Sequence, residues 1–194
     1  MINIAVLVSG GGSNLEAILN DIEKGGVNGR VVTVVSNKEG VYALTRAKNH
    51  NIPSKVIVSK NNPSFSQELI KHLKENNVDL IVLAGFLCIL KDDILTEYKD
   101  RIINVHPSLI PSFCGDGFYG LKVHEAALSY GVKVTGATVH YVNEITDGGK
   151  IIIQKAVNIL DGDTPETLQK RVMEEAEWKI LPQAIRMICN GGLN

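Results

Sequence analysis

The chain opens MINIAVLVSGGGSNLEAI, residues 1–18, and the reading of this stretch decides the fold. Ile2 to Val8 is a short, nearly continuous apolar run of the kind buried on both faces of a parallel sheet. It runs into Gly10, Gly11 and Gly12, then Ser13 and Asn14, then a helix-like stretch. Glycines placed there let a ligand approach bare main chain. A dinucleotide fingerprint fits poorly: Ser13, Asn14 and Leu15 follow Gly12, so the third glycine is absent. The second apolar run also ends in Ser36-Asn37, with no acidic residue there for a ribose. A phosphate loop of the Gly-Lys-Ser/Thr type fails for want of that triplet. What remains is an anion site suited to one phosphate, built from the N–H groups of a helix start, the Ser13 hydroxyl and the Asn14 amide. A purely structural reading stands beside it, a tight turn with Ser or Asn capping the helix.

Outward from this loop the pattern alternates. Val31 to Val35, Lys55 to Val58, Leu80 to Ala84 and Arg101 to Val105 are further β-branched apolar runs. Between them Leu15 to Lys24, Tyr42 to His50 and Phe65 to Asn76 carry apolar residues at helical spacing, such as Leu69, Ile70 and Leu73. This βαβα wiring predicts a mostly parallel sheet with helices on both faces, and ligands beyond the carboxyl ends of its strands. After residue 131 the pattern changes. VKVTGATVHYV and KIIIQKAVNI read as two extended strands joined through NEITDGG, an antiparallel edge. Residues 163–188 then read as helical, with Thr164 as N-cap, Pro165 at the first helical position and Pro182 as a candidate kink. Thr167 stands where a capping box wants Glu or Gln.

Bulk composition narrows the partners. With 194 residues, 44% hydrophobic and 21% charged, one domain spanning 1–194 with a sizeable core is expected. A net charge of −1 with no block of like charge gives no electrostatic reason for a nucleic-acid or membrane surface, so the partner is expected to be a small molecule. Cys88, Cys114 and Cys189 are odd in number and form no CxxC pair, which suggests neither a disulfide framework nor a zinc site and fits a reducing cytoplasm. Residues 2–8 are too short and lack the basic leader of a signal peptide.

Two further clusters carry chemistry. In RIINVHPSLIPSFCGDGFYG, Asn104 and His106 lie two apart at a strand end, so both side chains leave one face and can converge on a ligand. Pro107 and Pro111 stiffen the chain beyond, and Gly115, Gly117 and Gly120 mark a long loop that reads as a cover. In GATVHYVNEITDGGKII, Asp147 precedes two glycines, and a turn alone accounts for it. Together the clusters supply an anion anchor, an amide donor, a titratable base and a carboxylate to orient it. The histidines show no HxxxH spacing, and no Cys or Ser sits in an obvious nucleophile motif. Direct transfer without metal or covalent enzyme intermediate is the favoured chemistry. A sugar-phosphate binding module without turnover stays open on the same residues.

SGGGSNLEAI, VLAGFLCIL, INVHPSLIPSF and the stretch from Gly136 to Gly149 resemble the phosphoribosylglycinamide formyltransferases, folate-dependent enzymes of de novo purine synthesis. The likeness covers nearly the whole chain. VHPSLxP with a downstream D-x-G is shared with other formyltransferases and with formyltetrahydrofolate deformylases, whereas the SGGGSN loop discriminates among them. The resemblance implies 10-formyltetrahydrofolate as co-substrate, glycinamide ribonucleotide as acceptor, no metal, and a monomer or homodimer. It implies Asn104, His106 and Asp147 as catalytic trio, with Asp147 raising the His106 pKa and fixing its ring. Gly12, Ser13 and Asn14 would hold the phosphate, and Glu177, with Glu174 as a second candidate, the ribose hydroxyls. Leu87, Cys88, Ile89 and Leu90, with Asn143, Glu144, Ile145 and Thr146, align with segments that hold the pterin largely through main chain. His140 leads into the second of these. Cys88 stands where many members carry Arg, and the segment CGDGFYGLKVHEAAL is longer than in some relatives.

Overall fold

The structure, a computed structural model, describes residues 1–91 and 93–191. Its strands are β1 (Ile2–Val8), β2 (Gly29–Ser36), β3 (Ser54–Val56), β4 (Leu80–Leu83), β5 (Ile102–His106), β6 (Val134–Tyr141) and β7 (Ile151–Asn158). Its helices are α1 (Ser13–Glu23), α2 (Tyr42–Asn49), α3 (Phe65–Glu75), α4 (Asp93–Glu97), α5 (Leu121–Tyr130), α6 (Pro165–Val172) and α7 (Trp178–Gly191). The strands form one sheet in the order β3-β2-β1-β4-β5-β6-β7, parallel through β5 and antiparallel from β5 to β7. The mostly parallel α/β sheet with an antiparallel edge is therefore the fold.

Why β1 lies at the centre follows from its sequence. Every residue from Ile4 to Val8 is buried, and successive side chains go to opposite faces. Ile4, Val6 and Val8 pack with Leu15 and Ile18 of α1, Ala43 of α2, Leu168 of α6 and Ile185 of α7. Ala5 and Leu7 pack with Phe65, Leu69 and Leu73 of α3 and Ile94 of α4. Each such buried Leu or Ile contributes about 1.5–3 kcal/mol relative to exposure, which is what holds both helical layers to the sheet. The chain leaves β1 for β2 on one side and later returns to β4 on the other. The chain therefore leaves β1 toward the face covered by α1 and β4 toward the face covered by α4, the kind of topological switch at which ligands of such sheets bind.

Local details differ from the sequence reading. β3 is three residues, and β5 runs on to include His106. Helix α5 was not expected; its buried face is Val123, His124 and Ala127, so a histidine interrupts the apolar stripe that would have announced it. Thr164 does cap α6, and Thr167 completes the capping box through its hydroxyl, which accepts from Thr164 N at 2.9 Å. The departure from α geometry falls at a π-helical turn, Met173–Glu177, one turn before Pro182, which lies buried inside α7.

Candidate active site

The glycine loop is built against α2. Gly12 is the N-cap of α1 with φ 74°, and no side chain caps the helix, so neither Ser13 nor Asn14 plays the capping role of the structural reading. The first-turn N–H groups are left for another acceptor. A Cβ on Gly12 would stand 2.6 Å from the Ala43 Cβ, so only glycine fits here. At Gly10 and Gly11 nothing lies within 4 Å of a Cβ position, which leaves the outer side of the loop open. Asn14 is buried, and its Nδ2 donates to Glu177 Oε2 at 2.6 Å while its Oδ1 has no partner. Burial pushes the Glu177 carboxyl above its usual range, with the Asn14 hydrogen bond opposing. Glu177 is thus brought to the loop by the π-helical turn. Glu174 is not: it is exposed and faces Lys170 at 3.8 Å.

Asn104, His106 and Asp147 do converge. β5 places Asn104 opposite His140 of β6, and Asn104 Nδ2 lies 3.3 Å from His140 Nε2. His140 Nε2 is in turn 3.5 Å from Asp147 Oδ1, while His106 Nδ1 is 3.4 Å from Asp147 Oδ2. Asp147 adopts φ 55°, the left-handed conformation a short polar residue tolerates, and this turns its carboxylate back into the site. Its carboxyl pKa is lowered: burial alone would raise it, but the His140 contact, the His106 charge and the Gly115 N–H outweigh that. His106 is 4% exposed, and its Nε2 donates to Phe113 O at 2.9 Å. Since a carbonyl only accepts, the ring carries its proton on Nε2 and offers the Nδ1 lone pair.

Burial pulls the His106 pKa down and sets the net direction, while Asp147 pulls it upward, as expected, and so does the Phe113 carbonyl. The lowered pKa favours the neutral ring near pH 7, in which Nδ1 is free to accept a proton.

The folate-aligned residues lie on two loops. Leu87 and Ile89 are exposed beyond β4, and Leu87 N donates to Ser9 Oγ at 2.8 Å, which ties this loop to the end of β1. Cys88 is half-buried, but Leu90 packs into the core with Leu83 and Ile94, so only its main chain is free to meet a ligand. On the other loop Asn143, Glu144, Ile145 and Thr146 are exposed; Asn143 Oδ1 accepts from Ile145 N at 3.0 Å and shapes the turn. Thr146 Oγ1 donates to Asp116 Oδ1 at 3.0 Å, and Gly115 N donates to Asp147 Oδ2 at 2.9 Å. The segment after Pro111 is thereby laid across His106 and Asp147 as the cover expected from its glycines.

Some participants were invisible in the sequence. The Phe113 carbonyl and the Gly115 N–H are main chain, which no residue type reports. His124 is fully buried, neither ring nitrogen has a hydrogen-bond partner, and burial with the nearby His106 charge pushes its pKa down to about 4. Among the described residues, no cluster of three or more His, Cys, Asp or Glu is arranged to hold a metal ion. No helix among them is long and apolar enough to cross a membrane.

Residues 2–185 match the formyl transferase family. The chain is 41% identical over 190 residues to the chloroplastic phosphoribosylglycinamide formyltransferase of Arabidopsis thaliana, covering 96% of this chain and 65% of that protein. It is 43% identical over 195 residues to the trifunctional purine biosynthetic protein adenosine-3 of Gallus gallus, covering 99% of this chain and 19% of that one. It thus spans less than two thirds of the length of these curated relatives. Among solved structures, glycinamide ribonucleotide transformylase 1 from Symbiobacterium toebii superposes with TM-score 0.92 at 41% identity, over 98% of this chain and 89% of that one. Phosphoribosylglycinamide formyltransferase from Bacillus halodurans gives TM-score 0.88 at 37% identity, over 95% of this chain and 93% of that one. With the family match over residues 2–185 and the structural likeness over nearly its whole length, the chain belongs to the formyl transferase family.

Proposed function

We propose that the protein transfers the formyl group of 10-formyltetrahydrofolate to the amine of glycinamide ribonucleotide; its relatives are named for formyl transfer to that acceptor. The observation that carries the proposal is the meeting, at one end of the sheet, of an uncapped glycine-loop helix start with the Asn104, His106 and Asp147 group. The loop at Gly12, Ser13 and Asn14 takes the phosphate, and Glu177 takes the ribose hydroxyls. The exposed Leu87, Ile89 and Ile145 and the main chain around them take the pterin. Fixing both substrates across the crevice converts a two-body encounter into an oriented one, the entropic part of the rate.

The chemistry then runs on groups in place. The amine nitrogen bonds to the formyl carbon, and the carbonyl oxygen takes up the electron pair as an oxyanion. The Asn104 amide donates to that oxygen. His106 Nδ1 accepts the proton released by the attacking nitrogen, and the imidazolium is held by Asp147 at 3.4 Å. The oxyanion then re-forms the C=O bond as the bond from the formyl carbon to the folate nitrogen breaks, and His106 returns the proton to that nitrogen. Atoms and charge balance without a metal or a covalent enzyme intermediate. Three cysteines with no disulfide among them suit a reducing cytoplasmic setting.

The test is an absorbance assay of tetrahydrofolate release with and without glycinamide ribonucleotide. Acceptor-dependent release supports the transfer. Release that ignores the acceptor identifies water as nucleophile and a deformylase, and no release with tight phosphate binding identifies a binding module.

A further inference from the structure

The geometry points to Arg46 as a positioning residue that aims the N–H groups of the glycine loop at the substrate phosphate. The inference rests on the phosphate role given to that loop. It starts from a difficulty in the sequence: Gly10 and Gly11 have no side chains, meet nothing within 4 Å at a Cβ position, and have φ/ψ freedom that permits several peptide orientations. Something outside the loop must choose among them.

Helix α2 makes the choice through two hydrogen bonds. Ala43 N donates to Gly10 O at 3.2 Å, and Arg46 Nε donates to Gly11 O at 2.9 Å. A trans peptide is planar, with its C=O and the following N–H pointing opposite ways. Holding the Gly10 carbonyl toward α2 therefore turns Gly11 N–H away from it. Holding the Gly11 carbonyl does the same for Gly12 N–H. Both donors then face the open side, where α1 begins without a side-chain cap. Asn14 Oδ1, in a residue only 7% exposed, stands unpartnered at the same helix start, a second sign that this end is built for a ligand.

Arg46 is itself held. Its NH1 group donates to Glu16 Oε2 at 2.9 Å, and its guanidinium carbon lies 4.9 Å from the centre of the Tyr42 ring. The Arg46 hydrogen bond is the largest influence on Glu16 and keeps its carboxyl below the usual range. Glu16 lies in the first turn of α1, where its charge would oppose an incoming phosphate. The Arg46 guanidinium offsets that charge while its Nε fixes the peptide. Lysine cannot do both, because a methylene occupies the place of Nε.

The experiment compares wild type with Arg46→Gln and Arg46→Lys, using circular dichroism and thermal unfolding to check the fold. The direct probe is inorganic phosphate, added while the Gly11 and Gly12 amide resonances are followed by NMR. In wild type both amides shift on titration; in both variants the shifts are lost or need about tenfold more phosphate, equal to about 1.4 kcal/mol. The KM for glycinamide ribonucleotide rises by about tenfold in both, with kcat and the folate KM within about twofold, since only uniform phosphate binding is lost. Wild-type affinity in Arg46→Lys with loss only in Arg46→Gln means that charge alone matters, and overturns the inference. So do phosphate shifts unchanged in both variants, or absent from Gly11 and Gly12 in wild type. If wild type binds phosphate at these amides without transferring formyl groups, the proposed function fails while the role of Arg46 stands.

Discussion

Asp147→Asn separates the carboxylate from the turn it occupies. The φ of 55° at this position suits Asn as well as Asp, and an Asn Oδ1 can still accept from Gly115 N, so the backbone and the cover segment stay in place. What is lost is a negative charge 3.4 Å from His106 Nδ1. Two unit charges at that distance and an effective dielectric near 20 attract by about 5 kcal/mol, an upper figure for a site shared with a second histidine. An opposite charge this close typically moves a pKa by about 1–3 units, or about 1.4–4 kcal/mol of lost imidazolium stabilisation. If His106 carries the proton in the transition state, kcat falls by about 10 to 10³. The His106 pKa, already held below its usual value by burial, drops further, and the acid limb of the kcat profile moves to lower pH by the same amount. Steady-state kinetics at saturating substrates from about pH 5 to pH 9, with an NMR titration of His106, measure both. A folded variant with kcat within about threefold of wild type and an unmoved His106 titration refutes the catalytic role and leaves Asp147 a turn residue.

The other expectations address separate parts of the site. His106→Ala should lower kcat by about 10² to 10⁴ with little change in either KM, and retention of most activity in steady-state assays would remove His106 from the mechanism. Ser13→Ala combined with Asn14→Ala should raise the KM for the nucleotide far more than that for the folate; equal losses would make the loop structural. Gly12→Ala places a Cβ 2.6 Å from Ala43 in a left-handed backbone, so calorimetric binding of the nucleotide should weaken and unfolding should come about 1–3 kcal/mol sooner. For His124, whose pKa is pushed down to about 4 in the folded chain, the unfolded chain binds the extra proton between its ordinary pKa and that value. Stability should therefore fall as pH drops through this window, by about 3 kcal/mol in all, and urea denaturation of His124→Leu should show a flatter slope. An unchanged slope would show that other groups set the acid limit.

The legible parts of this protein are those where one residue type has one physical use. Ile2 to Val8 is buried on both sides of the sheet, and a run so apolar has no other stable place in a globular chain. Asn104 and His106 share a strand face because the strand period is two, and their convergence needed only β5 to be extended. Asp147 reads two ways because Asp-Gly-Gly makes turns whether or not the carboxylate is used, and only the folded chain brings that carboxylate to 3.4 Å from His106 Nδ1. The sequence of α5 reads as loop because His124 occupies the face that marks a helix, and a buried, unpartnered histidine is rare.

Main-chain roles are where sequence reading stops. The tautomer of His106 is set by the Phe113 carbonyl, and Phe113 reaches that position through a positive φ of 50° that nothing in its side chain demands. The direction of the Gly12 N–H is set by Arg46, a residue of α2 that sequence spacing separates from the loop it serves. In both cases the reacting or binding atom belongs to a motif residue, but its orientation is supplied by a partner 7 or 35 positions away. Motif residues therefore say which groups are available, whereas the segment after Pro111 and the start of α2 decide which nitrogen of His106 is free to accept and which way the peptides of the glycine loop turn.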